Sequence, residues 1–338
     1  MSTPDSVRAI ADAVMYEGYI LWPYRRSALK NQRRFTFGGV YPPSHTHKHE
    51  DDPNAMHTEV LLECASDTTV EVTVRFLQII DRSVARRSDD GLQAVQELTI
   101  GNERHMSWEE AVEREVCAGG LSIRALDAGL RIPIAIPAGV QQEDLLDERG
   151  RPAGALRRSW HALGGDVSIG CHGLEQERNL IRLAVRVSNS TPFHGGSRQQ
   201  ALARTFCSTH VLAHASNGDF VSLTDPPADL RAAAQACRNE GAWPVLVGEP
   251  GSRSTVLCSP IILEDHPRIA PESPGDLFDG GEIDQLLILN ILSLTDEEKA
   301  EMRATDPRAR EILERTEALT PEELMRLHGT IREFGLER

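Results

Sequence analysis

The sequence has few aromatic residues and almost no lysine. Tyrosine, tryptophan and phenylalanine make up 5% of the 338 residues, and the only lysines are Lys30, Lys48 and Lys299. Acidic side chains outnumber basic ones by 51 to 36, so the formal net charge is −15. An acidic chain repels phosphate backbones, and its one basic cluster, residues 25–34, is short. These features argue against a nucleic-acid-binding protein.

Paired cysteines and the commonest catalytic motifs are also absent from the sequence. The six cysteines lie at least 21 residues apart, and none forms a CxxC pair. This spacing argues against a disulfide framework or a zinc ribbon, so we expect free thiols in a reducing cytoplasm. The sequence contains no GxSxG, P-loop, GxGxxG or HExxH motif, which is modest evidence against a common enzyme.

No hydrophobic run is long enough to cross a membrane. The most apolar segment, residues 283–294, contains Asp284, Gln285 and Asn290, and a bilayer needs about 20 apolar residues. The first residues show no basic region followed by an apolar stretch, so we expect no secretory signal. We therefore expect a cytoplasmic protein without membrane insertion.

Alternating apolar and polar residues dominate the middle of the chain. In residues 69–76, Val70, Val72 and Val74 alternate with polar side chains, as half-buried strands do. Little helix separates such segments, which favours an antiparallel β-sandwich over a βαβ fold. The expected strands are residues 59–65, 69–76, 121–126, 130–136, 166–171, 181–189, 205–214, 219–223, 244–248 and 255–263.

Helix signals occur before, within and after this region. We expect helices over residues 4–15, over residues 107–117 after a capping-box pair of Ser107 and Glu110, and over residues 228–240. Near the C-terminus, start signals at Thr295, Asp306 and Thr320 predict three short helices.

The C-terminal quarter differs from the rest in charge. Residues 262–338 contain 19 acidic and 9 basic side chains. Such a surface is either simply solvated or a docking surface for a basic partner. The predicted fold class is α+β, mainly β: an antiparallel β-sandwich core with a short helical C-terminal appendage. We divide the chain into four parts. Residues 1–57 contain an N-terminal helix, a segment rich in aromatic and basic side chains, and a His-rich loop. The β-sandwich core covers residues 58–263, a linker covers 264–282, and a separable acidic tail of three helices covers 283–338.

All four tyrosines lie within residues 16–41, which we call the aromatic–basic segment because five cations are interspersed among its rings. Tyrosine, tryptophan and arginine are common at binding hot spots, so the segment is a candidate docking site. Alternatively, its rings fill the protein's own core while the arginines reach outward. The candidate partner-binding residues are Tyr16, Tyr19, Trp22, Tyr24, Arg25, Arg26, Arg33, Arg34, Phe35 and Phe37.

Histidines and carboxylates alternate in residues 45–52, which we call the His-rich segment. The candidate metal ligands are His45, His47, His49 and Asp51. On an extended segment, His45 and His47 share one side, with Cα atoms about 6.6 Å apart, and suit a transition metal such as nickel or zinc. The alternative is a polar loop without metal. Two further histidines, His210 and His214, are expected on a strand, too far apart to share an ion.

The stretch from Met15 to Tyr41, together with TEVLLEC (residues 58–64), VRFLQ (residues 74–78) and residues 287–316, resembles a family of uncharacterised bacterial proteins. These are encoded beside high-affinity, oxygen-tolerant nickel–iron hydrogenases of the actinobacterial type. The resemblance implies an accessory role in hydrogenase maturation, assembly or electron-partner handling, and it supplies no catalytic residue. We therefore expect a non-enzymatic factor that binds a hydrogenase subunit or maturation protein, without a cofactor; the alternative is a metal-binding protein or metalloenzyme that uses the His-rich segment.

Overall fold

The computed structural model describes residues 5–17, 19, 24–25, 37–175, 179–268 and 284–320. Its helices are α1 (Asp5–Tyr16), α2 (Pro43–Thr46), α3 (Ile123–Asp127), α4 (Arg198–Leu202), α5 (Arg231–Gln235), α6 (Asp284–Leu292), α7 (Asp296–Thr305) and α8 (Pro307–Glu317). Its strands are β1 (Ala55–Ser88), β2 (Gly91–Val95), β3 (Glu97–Ile100), β4 (Glu103–Met106), β5 (Trp108–Ser122), β6 (Leu130–Ile136), β7 (Gly139–Leu146), β8 (Pro152–Trp160), β9 (Leu163–Glu175), β10 (Leu180–Asn189), β11 (Cys207–Phe220), β12 (Trp243–Leu246) and β13 (Thr255–Ser259).

Strand β1 is the centre of the fold. It is 34 residues long, and it pairs antiparallel with five other strands in succession along its length. Its partners are β10 over residues 55–63, β11 over 62–77, β5 over 69–82, β8 over 81–86 and β2 over 84–88. These pairings join 11 strands into one sheet, which is open rather than closed into a barrel.

The alternating side chains of β1 divide the interior into two regions. Val70, Val72, Val74 and Phe76 enter one apolar cluster with residues of β9, β10, β11 and β13. Since β10 pairs with the first half of β1 and β5 with the second, the two halves of the sheet contribute to one core. The mainly-β, antiparallel prediction is confirmed, and all the described strands except β3 and β4, which form a separate pair, belong to one open sheet.

The opposite face of β1 supports helices from both ends of the chain. Leu77 and Ile79 belong to a second cluster, which also contains residues of α6, α7 and α8. Helix α1 packs beside β11, β12 and β13 through Val7, Ala11 and Val14. The tail therefore packs against the body through its apolar side chains, which argues against the separable appendage expected from the sequence.

The largest error in the predicted secondary structure is at residues 107–117, where strand β5 replaces the expected helix. Both residues of the supposed capping box serve long-range contacts instead. The Ser107 hydroxyl accepts from Val84 N and donates to Val95 O, while Glu110 binds Arg82. Pairing with β1 outweighs the local helix signal.

Strands β2, β3, β4, β7 and β8 were not predicted, and two predicted segments have a different structure. Residues 121–126 were predicted as a strand, but β5 ends at Ser122, whose hydroxyl caps α3. The helix predicted over 228–240 is limited to α5. Beyond it, Asn239 accepts a hydrogen bond from Thr58 Oγ1, and Glu240 forms a β-bridge with His57 of β1. The chain after α5 therefore contacts the sheet instead of continuing the helix.

The predicted starts of two tail helices are confirmed. Thr295 and Glu298 form a capping box at α7, and Asp306 caps α8 with Pro307 as its first residue. The helix expected after Thr320 lies outside the described residues. Within the described ranges, no helix is both long and apolar enough to span a bilayer.

Candidate functional site at the junction of tail, helix α1 and sheet

The four tyrosines of the aromatic–basic segment lie inside the protein. Tyr16, Tyr19, Tyr24 and Tyr41 are between 0% and 5% exposed. All four rings belong to the same apolar cluster as the tail helices. These four rings therefore fill the protein's own core, as the second interpretation of the segment predicts. A partner does not reach them in this conformation.

The remaining candidates of this segment divide into two groups. Arg25 is half-buried, and its Nη1 lies 2.7 Å from Glu298 Oε1 of α7; Phe37 is also half-buried. The other five candidates, Trp22, Arg26, Arg33, Arg34 and Phe35, lie outside the described residues.

A buried arginine joins α1 to the sheet beneath the tail. Arg75 is 2% exposed, and its Nη2 lies 2.6 Å from Asp12 Oδ1 and 3.3 Å from Glu113 Oε2. Its Nε lies 3.8 Å from Glu115 Oε1. A buried charge is tolerated only when such partners compensate its desolvation. Arg75 therefore links α1, β1 and β5.

Glu113 connects this network to the tail. It accepts hydrogen bonds from Tyr16 OH at 2.8 Å and from Arg308 Nη2 at 3.0 Å. Burial alone raises the pKa of Glu113, but these bonds and the charge of Arg75 hold that pKa below its usual value. Burial and Glu113 raise the pKa of Tyr16, so the phenol stays protonated and donates to the carboxylate.

A second buried arginine fixes the turn between α7 and α8. Arg82 donates from Nη2 to the carbonyls of Ala304 and Thr305, at 2.6 and 2.9 Å. Its Nη1 lies 2.8 Å from Glu110 Oε1, and its Nε donates to Met106 O at 3.0 Å. Because carbonyls at a helix C-terminus have no partners within the helix, Arg82 both satisfies them and anchors the tail.

The histidines of β11 occupy the strand positions expected from the sequence. His210 lies opposite Arg75 and is fully buried. Its Nδ1 is 2.9 Å from Ser208 O; a carbonyl oxygen only accepts, so Nδ1 carries the proton. His214, farther along β11, contacts Thr255 instead. The two rings thus make separate contacts.

We predict that His210 makes the protein less stable in acid. Burial lowers the pKa of His210 from 6.5 to about 4; the hydrogen bond to Ser208 O and the charge of Glu113 on β5 oppose this shift, whereas the charge of Arg75 on β1 adds to it. As pH falls from 6.5 towards 4, the unfolded chain binds a proton that the folded protein does not. The resulting loss is about 3 kcal/mol, and His210→Gln should remove it.

Urea unfolding at successive pH values between 7 and 4 measures this effect as the difference in slope between wild type and variant. His194→Gln, at an exposed position, is the matched control and should retain the wild-type slope. Equal slopes for wild type and His210→Gln would contradict the assignment.

The His-rich segment forms a short helix rather than an extended strand. Helix α2 contains His45, which is 3% exposed, and its Nε2 lies 2.8 Å from Asp52 Oδ2. The His45 ring stacks between Tyr41 and His49, with centroid distances of 5.0 and 4.4 Å. His45 is thus part of the protein's packing.

The proposed metal ligands do not have the arrangement that the sequence predicted. His47, His49 and Asp51 are exposed, and the extended arrangement assumed for His45 and His47 is wrong because the chain turns at α2. Among the described residues, no group of three His, Cys, Asp or Glu side chains is arranged to hold a metal ion. A nickel or zinc site remains a prediction.

The sequence analysis missed the two buried arginines. In residues 69–76, Arg75 is on the face opposite the valines, and the alternating pattern predicts that this face is exposed to solvent. In the structure, α1 and the tail cover that face. Arg82 has no local signal at all. Its tail partners lie more than 220 positions away in the sequence.

Comparison with known proteins adds no family to these observations: no protein-family model matches the chain, and no curated protein matches it.

Proposed function

We propose that this protein is a cytoplasmic accessory factor that binds a subunit or maturation protein of a nickel–iron hydrogenase and acts in maturation or assembly without catalysis. The hydrogenase connection comes from the resemblance of Met15–Tyr41 and residues 287–316 to proteins encoded beside such enzymes. The non-catalytic part is supported by the placement of ionisable groups.

The supporting observation is that the side chains with shifted pKa values lie at contacts between helices and strands inside the protein. In enzymes, side chains with shifted pKa values are commonly found in clefts that admit substrate. Here, Tyr16 and Glu113 join α1, the sheet and α8, while His210 is enclosed in β11. Their electrostatic interactions hold elements together, which favours a binding protein over an enzyme.

The thiols support the same proposal. A nucleophilic cysteine needs a lowered pKa so that the thiolate forms near neutral pH. Burial instead raises the pKa values of Cys64 and Cys237, that of Cys171 to about 11 and that of Cys258 to about 12. These four thiols therefore stay protonated near pH 7 and are weak nucleophiles.

The tail offers a surface for a basic partner. Its apolar residues face the sheet, whereas Asp296, Glu297 and Glu314 are exposed on α7 and α8. Complementary charges accelerate association and select partners. With the four tyrosines buried, we place the partner contact on this exposed acidic surface of the tail.

Affinity purification of the tagged full chain, from cells that express the hydrogenase operon, tests this proposal. We expect a hydrogenase subunit or maturation protein to co-purify, and Glu297→Lys with Glu314→Lys to reduce its yield at least threefold, as loss of complementary charge slows association. The melting temperature should change little because both side chains are exposed.

The matched control is Asp89→Lys with Asp90→Lys, two exposed carboxylates in the turn after β1. It adds the same charge and should leave the yield unchanged. Absence of any hydrogenase protein from the wild-type sample would contradict the proposed function. Equal yields from the tail variant and the wild type would contradict the assignment to the tail.

A further inference from the structure

Three buried polar atoms beside the Arg75 ion pairs have no hydrogen-bond partner within the described part of the chain. They are Arg75 Nη1, His210 Nε2 and Ser208 Oγ. Arg75 is 2% exposed, and the other two residues are fully buried. Buried polar groups in folded proteins are nearly always hydrogen-bonded, either to the protein or to ordered water. Unpaired atoms of this kind therefore point to a bound ligand.

The three residues are neighbours on one face of the sheet. Arg75 on β1 lies directly opposite His210 on β11, and directly opposed side chains of antiparallel strands share a face, with Cβ atoms about 5 Å apart. The His210 ring is also joined to Ser208, because Nδ1 donates to Ser208 O at 2.9 Å. A single ligand between β1 and β11 therefore lies close to all three.

The ion pairs of Arg75 direct its unpaired nitrogen towards β11. At this position β1 lies between β5 and β11. Nε and Nη2, which share one edge of the guanidinium, face Glu115 and Glu113 on β5. Because the guanidinium is planar and rigid, Nη1 lies at the opposite edge, on the side of His210.

Strand β11 contains a β-bulge beside this position. One residue separates Arg75 from Leu77 on β1, whereas two residues of β11, Ser208 and Thr209, separate their partners. A bulge disrupts the ladder and bends the strand locally. Ser208 has a φ of 51°, and its N–H donates to Phe37 O. The bulge therefore gives room for a small ligand that regular pairing would not leave.

The charges around this position are balanced, which favours a neutral ligand. Three carboxylates and three guanidiniums form ion pairs here. They are Asp12, Glu113 and Glu115, with Arg8, Arg75 and Arg308. His210 is neutral near pH 7, since its pKa is about 4. An added anion or cation would disturb this balance, whereas an uncharged molecule does not.

The donors and acceptors that remain match a water molecule. Nη1 of Arg75 can only donate a hydrogen bond, and Nε2 of the neutral His210 ring can only accept one, because Nδ1 carries the proton. A hydroxyl such as that of Ser208 can do either. The ligand must therefore accept from Arg75 and donate to His210. Water does both, and buried waters typically make about three hydrogen bonds.

We propose that one buried water molecule bridges Arg75, His210 and Ser208 as a part of the fold. It accepts a hydrogen bond from Arg75 Nη1, donates one to His210 Nε2 and makes a third with Ser208 Oγ. The water thereby joins β11 to the ion pairs that connect α1, β5 and the tail. This inference does not depend on the proposed function.

The first test detects the water at the His210 ring, in purified and otherwise deuterated full-length protein that carries labelled histidine. The carbon-bound ring protons Hε1 and Hδ2 flank Nε2, so both should show water NOE cross-peaks with the negative sign of a long-lived bound water. The nitrogen-15 shifts of the ring should show a proton on Nδ1 and none on Nε2. His194, which is exposed, is the control in the same spectrum and should lack these cross-peaks.

The second test measures the number of long-lived waters by oxygen-17 relaxation dispersion, which is not affected by exchange of side-chain protons. His210→Phe removes the acceptor and places a ring carbon towards the water, so this variant should hold one long-lived water fewer than the wild type. His214→Phe, the same change farther along β11, is the matched control and should hold the wild-type number.

Absence of the His210 cross-peaks in the wild type, or a proton on Nε2, would overturn the proposal without any variant. The same number of long-lived waters in the wild type and in folded His210→Phe would also overturn it. If His210→Phe does not fold, the wild-type spectra still decide. No hydrogenase protein is needed in either measurement, so their outcome is independent of the co-purification.

Discussion

Replacing Tyr24 by alanine is expected to lower the free energy of unfolding by about 3–5 kcal/mol, the usual range for removing a large buried aromatic side chain. Tyr24 is 0% exposed and belongs to the cluster that joins the aromatic–basic segment to the tail. The lost ring removes contacts with both. Urea unfolding of the purified variant measures the effect, and tail helices and sheet should unfold at lower denaturant concentration.

The neighbouring Arg25 provides the matched control for this change. Its side chain is 22% exposed and pairs with Glu298, which is 32% exposed. Pairs that water reaches contribute little, commonly up to about 1 kcal/mol, so Arg25→Ala should unfold near the wild-type midpoint. If Tyr24→Ala retained full stability but no longer captured a hydrogenase protein, the ring would belong to an interface and its burial in the core would be refuted.

Arg82→Ala should be nearly as damaging, with a loss of about 3–5 kcal/mol, because one member of a buried ion pair disappears while its partners stay buried. Glu110 loses one of its two arginines, and the carbonyls of Ala304 and Thr305 lose their donor. The α7–α8 turn should then become accessible to proteases before the sheet unfolds. Denaturant unfolding and limited proteolysis measure the two effects.

Arg87→Ala on the same strand is the control for this prediction. Arg87 pairs with Asp144, and both side chains are more than 40% exposed. Its removal should cost less than about 1 kcal/mol and leave the tail protected. Arg82→Lys should lose less stability than Arg82→Ala and more than Arg87→Ala, since a lysine keeps the charge but lacks the planar set of donors. Identical proteolysis of all three variants would show that Arg82 does not anchor the tail.

The sequence predicts the fold well wherever the determining forces are local. Alternation across Val70, Val72 and Val74 identifies part of β1, and the capping groups at Thr295 and Asp306 locate two helix starts. At residues 107–117 the same kind of local signal misleads. Ser107 and Glu110 resemble a helix start, but pairing with β1 contributes more than the cap.

The candidate site could not be predicted for a related reason. Its contacts join residues that the chain separates widely, such as Arg75 with Asp12 and Arg308 with Glu113. The alternation of apolar and polar residues predicts which side chains share a face of a strand. It does not predict which other part of the chain covers that face. The cluster of tyrosines was visible in the sequence, whereas its burial beneath the tail depends on how the two chain ends meet.

The length of β1 imposes an order on synthesis and folding. Arg75 pairs with His210, and Leu77 pairs with Cys207, so this part of the strand emerges from the ribosome at least 130 residues ahead of β11. Phe76 is buried in the finished protein beside Phe206, and it is without that neighbour during this interval. Non-local pairing of this kind slows folding and leaves apolar strand surface open to aggregation. Until β11 has been made, this face of the nascent chain therefore stays exposed and prone to aggregation.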